Sequence, residues 1–342
     1  MPNIAYFYPS GHEKHALPGH DERPERVETI RKSLDDAGYW KPGLQVRPEL
    51  LADDILRAIH TEELLDTVRR HSELELNIDA DTYLTKETWR LALNAAAGTA
   101  AVARAVWKAE ADCGFALSRP PGHHVTRSHP MGFCLLNNIA LSAECLLNQH
   151  RAERLAIIDM DVHHGNGTQD IFYDRGDVLF ISTHQSPLYP GTGSISERGL
   201  GEGEGLNVNI PLPPGSGDNA FDAVYGDFVP TVLDRYKPEM LLVSFGFDSH
   251  WKDPLANLLV SAEGYGNAVR SLTEWAAINC AGRIALVLEG GYDLQAAADC
   301  ALAATAALLG DKITDSMGPS EQPENSDWKN VFDRLQQVQA QD

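Results

Sequence analysis

The residues of this sequence able to bind a metal or move a proton fall into a few short segments. Asp161 and His163 lie in D-M-D-V-H-H (159–164), Asp248 ends G-F-D (246–248), His123 and His124 follow R-P-P-G, and Tyr292 follows E-G-G. Two carboxylates and one imidazole make a three-ligand set with an open position, the donor pattern of a catalytic metal site. Zn²⁺ suits that set; Fe²⁺ and Co²⁺ also fit, because donor type alone does not choose among them. On extended backbone, Asp-x-His would send both side chains to one side. Alone, a D-x-H is usually a solvated strand end, since short motifs match often by chance. Its weight here comes from the other segments.

A hydrolysed amide needs a base for the attacking water and an acid for the leaving amine, and histidine can serve as both. The Pro-Pro-Gly turn fixes the backbone before His123 and His124. Each imidazole needs a partner on its other ring nitrogen; Asp159 and Asn166 are spaced to provide one. A neutral Asn raises the basicity of its histidine less than Asp does, leaving that ring available as a base near neutral pH. The two glycines before Tyr292 allow a tight turn, and a tyrosine hydroxyl near a metal can stabilise a developing oxyanion. The glycine-rich run 191–205 lacks both the G-x-x-x-x-G-K-[ST] and the strand-framed G-x-G-x-x-G patterns. It reads as a flexible surface loop. His12, His15 and His20 read as solvated loop residues, a place at the pocket mouth being the alternative.

Those groups must be held by the elements between them. Short apolar runs at 4–8, 114–117, 155–158, 178–182, 207–210, 240–244 and 284–288 alternate with helix candidates at 24–37, 52–70, 86–109, 136–149, 218–236, 261–280 and 294–309. Continuous apolar strands joined by helices predict a parallel sheet covered on both faces. The chemical groups sit just after the predicted strands, where open α/β sheets bind ligands. Residues 311–327 read as a loop, and 328–339 as a docking helix.

The chain has 342 residues, 43% hydrophobic and 23% charged, with 49 acidic against 28 basic residues and a net charge of −21. That balance argues against nucleic acid or anionic membrane as a partner and tolerates a cationic substrate. Its length allows two domains or one large α/β domain. Five cysteines without C-x-x-C spacing predict buried, reduced thiols. With no leader-like N-terminus and no apolar run near the roughly 20 residues of a membrane span, the expected location is cytoplasmic.

As a set, R-P-P-G-H-H (119–124), G-F-C (132–134), D-M-D-V-H-H-G-N-G-T (159–168), Y-P-G-T-G (189–193), G-F-D (246–248), D-P-L (253–255) and E-G-G-Y (289–292) resemble the zinc-dependent histone deacetylase family. Asn166, D-P-L and H-D-E-R-P-E-R (20–26) resemble its class II branch, with the bacterial amidohydrolases and acetylpolyamine amidohydrolases related to it. The resemblance implies the arginase/deacetylase fold: a single α/β domain around a parallel, roughly eight-stranded sheet flanked by helices. Residues 1–310 would form the catalytic domain and 311–342 a C-terminal loop and docking helix.

Position by position, the resemblance implies that Asp161, His163 and Asp248 hold one Zn²⁺ per chain. His124 would be general base and acid, His123 an electrostatic and water-orienting partner, and Tyr292 the carbonyl-polarising group. Gly132, Phe133 and Tyr189 would line an acyl-lysine tunnel, with Leu255 and Asp81 at its rim. A monovalent cation, K⁺, would lie near Asp159, Asp161, His163, Ser182 and Thr183. The implied activity is hydrolysis of an N-acetyl amide, first of all acetyl-lysine. Three alternatives stand beside it: a small-molecule deacetylase acting on acetylpolyamines, an arginase-like ureohydrolase with two metals, and a non-catalytic acyl-lysine reader. Substrate, acyl length, the role of segment 8–25 and the oligomeric state, a homo-oligomer included, stay open.

Overall fold

A computed structural model of the protein describes residues 3–40 and 45–339; the expected domain limits also take in residues 1–2, 41–44 and 340–342, which lie outside the described ones. Every predicted apolar run forms a strand: β1 (Ile4–Phe7), β2 (Cys113–Ala116), β3 (Leu155–Asp159), β4 (Val178–Gln185), β5 (Asn207–Leu212), β6 (Leu241–Phe245) and β7 (Ile284–Leu288). They make one parallel sheet in the order β1-β2-β7-β6-β3-β4-β5. The described sheet thus has seven strands against the eight or so that the resemblance implies. Alternation along each strand feeds two cores. Ile4, Tyr6, Ala156 and Ile158 face one, and Ala5, Phe7, Leu155 and Ile157 the other, so both faces are covered by helices, as a parallel sheet requires. The chain runs outward from β3 to β4 and β5, then returns to β6 on the far side of β3. This reversal opens a crevice at the carboxyl ends of β3 and β6, the usual ligand position in such sheets.

Helices α1 (Glu25–Asp36), α2 (Asp53–Ile59), α3 (Glu62–Leu74), α4 (Thr88–Trp107), α5 (Asn138–His150), α6 (Asn166–Phe172), α7 (Asp218–Asp222), α8 (Val229–Tyr236), α9 (Ala262–Asn279), α10 (Leu294–Leu309) and α11 (Trp328–Gln339) fill the connections. Three departures from the sequence pattern have local causes. The 52–70 stretch breaks because Thr61 caps α3, its Oγ1 accepting from Leu64 N at 3.2 Å, while buried His60 accepts from Asn137 N at 3.0 Å. Between α7 and α8 lies a π-helical turn, 223–228; Pro230 near the start of α8 lacks the N–H for a regular helical bond. α6 is unanticipated, since its Gly-Asn-Gly start disfavours helix. No helix among the described residues is long and apolar enough to cross a membrane, and all five cysteines are free and buried.

The predicted solvation of His12 and His15 is overturned: both are buried, at 1% and 2% exposure. The cause is Arg119, fully buried beneath them. Its guanidinium donates to His12 O and His15 O at 2.6 Å each and to both Glu22 oxygens at 2.6 and 2.9 Å. Arg26 reaches the same carboxylate at 3.3 Å. Burial, the largest single influence, would raise the Glu22 pKa, but Arg119, His15 and Arg26 together outweigh it and hold the carboxyl at about 2. A depressed carboxyl pKa contributes stability in full above its ordinary value of 4.5 and loses it as pH falls through about 2. Glu22→Gln is therefore expected to cost about 3–5 kcal/mol at neutral pH, because two arginines lose their buried counter-charge. The gap between wild type and variant in urea denaturation should narrow as pH drops below 4.5.

Candidate active site

β3 ends at Asp159, so Asp161 and His163 stand on a turn and not on the extended backbone expected from Asp-x-His. The aspartates build that turn themselves. Asp159 Oδ1 accepts from Asp161 N at 3.1 Å and Asp161 Oδ1 from His163 N at 2.9 Å, each a side chain bonding the backbone two residues on. Asp248 arrives from beyond β6 and is fixed by Val162 N donating to its Oδ1 at 2.9 Å. Asp161 Oδ2 accepts from Gly290 N at 2.8 Å.

The remaining donors converge. His163 Nδ1 lies 3.2 Å from Asp161 Oδ1 and 3.2 Å from Asp248 Oδ2, and the three ligand atoms all lie within 4.8 Å of one another. A tetrahedron with bonds of about 2.0 Å has edges of about 3.3 Å, so these separations fit a small divalent cation. The charge fits as well. Asp159, Asp161, Asp248 and Glu289 are all completely buried. Burial, then the neighbouring Asp161, raises the Asp248 pKa; burial pushes Glu289 up to about 7. Carboxylates crowded in a low-dielectric site are relieved by a bound cation. Gly290 is needed beside them, since a Cβ there would stand 2.2 Å from Asp248 Oδ2.

Next to this triangle, His123 and His124 have ring centroids 4.0 Å apart and different partners. His123 Nδ1 meets Asp159 Oδ2 at 3.0 Å, and His124 Nδ1 meets Asn166 Oδ1 at 2.8 Å. Burial, with the charges of His123 and His163, drives the His124 pKa well down. For His123 burial acts in the same direction, but Asp159 and Asp161 outweigh it and lift the pKa to about 10. Glu289 clamps the turn before them, its Oε2 accepting from Gly122 N at 2.7 Å and His123 N at 3.2 Å.

Tyr292 is held through its backbone. Asp253 Oδ2 accepts from Tyr292 N at 2.6 Å, and Arg26 donates to Gly291 O and Glu289 O at 2.6 Å each while its guanidinium lies 4.7 Å from the Tyr292 ring centroid. Burial raises the phenol pKa well above its usual value, so the hydroxyl keeps its proton. Phe133 packs edge-on 5.8 Å from Tyr292, and Tyr189 edge-on 5.2 Å from His124. Gly132 lies between them at φ +58°, where a Cβ would stand 2.5 Å from His124 Cδ2 and 3.2 Å from Tyr189 Cε1. Leu255 is tied to the same place, its N–H donating to Asp253 Oδ1 at 3.0 Å.

Asp81 is exposed; its carbonyl accepts from His20 Nε2 at 3.0 Å, and the His20 ring packs 4.8 Å from Phe133. His20 therefore follows the alternative reading and sits at the aromatic rim. Strand pairing sets Ser182 beside Asp159, and Thr183 next to it is buried as well. The glycine run 191–205 is bonded to the body of the protein, Leu200 N to Tyr173 O at 2.8 Å and Asn207 Nδ2 to Glu197 O at 2.6 Å, unlike the flexible loop its composition suggests. The contacts through which Glu289, Asp253 and Arg26 hold this region escape sequence reasoning. Each carries a signal, as the residues that open E-G-G-Y, open D-P-L and close H-D-E-R-P-E-R.

The model of the histone deacetylase domain matches residues 20–308. A "Probable deacetylase" of Archaeoglobus fulgidus is 41% identical over 283 residues, 82% of this chain and 78% of that one. A "Histone deacetylase-like amidohydrolase" of Pseudomonas aeruginosa is 36% identical over 300 residues, 86% of this chain and 78% of that one. The chain spans 53–60% of the length of several plant relatives. Among solved structures, the HDA15 HD domain matches with a TM-score of 0.89 and 32% identity, over 100% of this chain and 96% of that one.

Proposed function

The chain belongs to the histone deacetylase family, and from that premise we propose that it hydrolyses N-acetyl amides with one Zn²⁺ per chain, acetyl-lysine side chains first among them. One observation carries this reading: the Asp161–His163–Asp248 donor triangle adjoins two histidines with unlike partners, Asp159 and Asn166. Bound by that triangle, Zn²⁺ supplies Lewis acidity, polarising the acetyl carbonyl and lowering the pKa of water.

The chain's own residues do the rest. His124 donates Nδ1–H to Asn166 Oδ1, which leaves the Nε2 lone pair free to take the water's proton. His123, charged and anchored on Asp159, holds positive charge beside the reacting atoms. Tyr292 donates its retained hydroxyl proton in a hydrogen bond to the developing oxyanion, and the protonated histidine passes its proton to the leaving amine. Phe133, Tyr189 and Gly132 form the walls for the acyl-lysine stem, with Leu255 and Asp81 at the rim. K⁺ beside Asp159, Ser182 and Thr183 belongs to this reading. So do a catalytic unit of residues 1–310 with a docking extension, and a cytoplasmic location, supported by the free thiols.

An acetylpolyamine substrate is the second reading, favoured by the net charge of −21. Leu255 counts against it, since the resemblance associates a glutamate there with polyamine preference. The two separate by turnover on an acetyl-lysine peptide against acetylspermidine; faster turnover of the polyamine would reverse the assignment. A ureohydrolase would want D-x-D near the last ligand, where this chain has Asp248-Ser249-His250. A simple reader of acyl-lysine has no use for Tyr292 and both histidines.

The unlike histidine partners give a pH prediction. Asn166→Asp places a carboxylate on His124 and stabilises its imidazolium, so the base pKa rises. The acid limb of the kcat/KM profile should move to higher pH by about one pH unit. An unmoved limb would take His124 out of the role of base.

A further inference from the structure

Tyr189, a proposed wall of the acyl site, is 46% exposed, so burial does not hold its ring against His124. Its place depends on a tight turn, closed by Gly191 N donating to Leu188 O at 2.9 Å, and on whatever fastens the residues that follow. Those residues, 192–197, are tied to one side chain, Gln169, through Glu197 and His164. Gln169 Oε1 accepts from His164 Nε2 at 3.0 Å, Asn207 Nδ2 at 2.9 Å and Asn209 Nδ2 at 2.8 Å. Gln169 Nε2 donates to Glu197 Oε2 at 2.6 Å. Glu197 in turn accepts from Gly193 N at 3.3 Å and Ser194 N at 3.2 Å.

His164 completes the attachment. With Nε2 donating to Gln169, its Nδ1 accepts from Thr192 Oγ1 at 2.7 Å. His184 Nε2 adds a bond to Gly193 O at 3.1 Å. Gln169 stands on α6, which begins at Asn166, the partner of His124. One short helix therefore carries both the group that orients the proposed base and the group that fastens the wall opposite it.

We propose that Gln169 is a positioning residue for acyl-substrate recognition, clamping the Tyr189-bearing segment through Glu197 and His164. The inference rests on the acetyl-amide reading of the site. Only an amide at 169 can face three donors with its oxygen and a carboxylate with its nitrogen. A glutamate at 169 would set two carboxylates against each other, whereas exchanging both residues restores a donor facing an acceptor.

The test compares Q169E, E197Q and Q169E/E197Q with wild type. Q169E is expected to raise KM for an acetyl-lysine peptide about tenfold, with kcat within about threefold, the signature of lost binding shared by ground and transition states. Amides of residues 192–197 should exchange hydrogen faster in Q169E. Both properties should return toward wild type in the double variant, because the two substitutions couple. The inference is overturned if exchange in Q169E is unchanged, if kcat falls with KM fixed, or if the double variant shows the sum of the single effects. A wild type that releases no acetate overturns the reading of the site instead, and the exchange comparison still decides the clamp.

Discussion

Tyr292→Phe is expected to fold, bind its metal as wild type does, and lose about 10²–10³-fold in kcat, the usual cost of removing one oxyanion donor. Phenylalanine keeps the ring and with it the packing on Phe133 and under Arg26. The turn that aims the ring is held by main-chain bonds from Tyr292 N to Asp253 and from Arg26 to Gly291 O, none of which the substitution touches. Only the hydroxyl goes. Turnover of an acetyl-lysine peptide, measured beside metal content and melting temperature, reads the effect. Near-wild-type kcat would remove Tyr292 from the chemistry.

Asp248→Asn should be more damaging still. Asn can keep its oxygen on Val162 N, as Asp248 Oδ1 does now at 2.9 Å, but it replaces the charged donor facing His163 with a neutral amide. Metal ligands act deprotonated, and affinity depends on that charge. Zn²⁺ affinity should fall by about 100-fold or more and turnover with it. A ligand that binds only the folded state raises the melting temperature with its concentration. Wild type should therefore melt progressively higher as Zn²⁺ is added, while Asp248→Asn should stay flat over the same range. Equal responses in the two proteins would place the metal elsewhere.

The parts legible in the sequence are those that sequence pattern encodes directly. A buried parallel sheet needs uninterrupted apolar runs, and each such run became a strand. Residues placed just after those runs, among them His123, Asp161, Asp248 and Tyr292, converge because the carboxyl ends of parallel strands lie on one side of the sheet. What stayed hidden depends on partners far apart in the chain. Glu22 and Arg119 are 97 positions apart, and nothing near His12 or His15 announces that Arg119 will draw their carbonyls inward. Arg26 reaches Gly291 across 265 positions. The Asp159 and Asp161 turns were hidden for a different reason: aspartate bonding to nearby backbone competes with the strand that its neighbours favour.

The most direct measurement is acetate release from an acetyl-lysine peptide by protein stripped with a chelator and then titrated with Zn²⁺ while metal content is determined. The expected result is no release from stripped protein, activity rising in proportion to bound Zn²⁺, and saturation at one ion per chain. Full activity in the stripped protein, saturation at two ions per chain, or no acetate release from the zinc-loaded protein would contradict it.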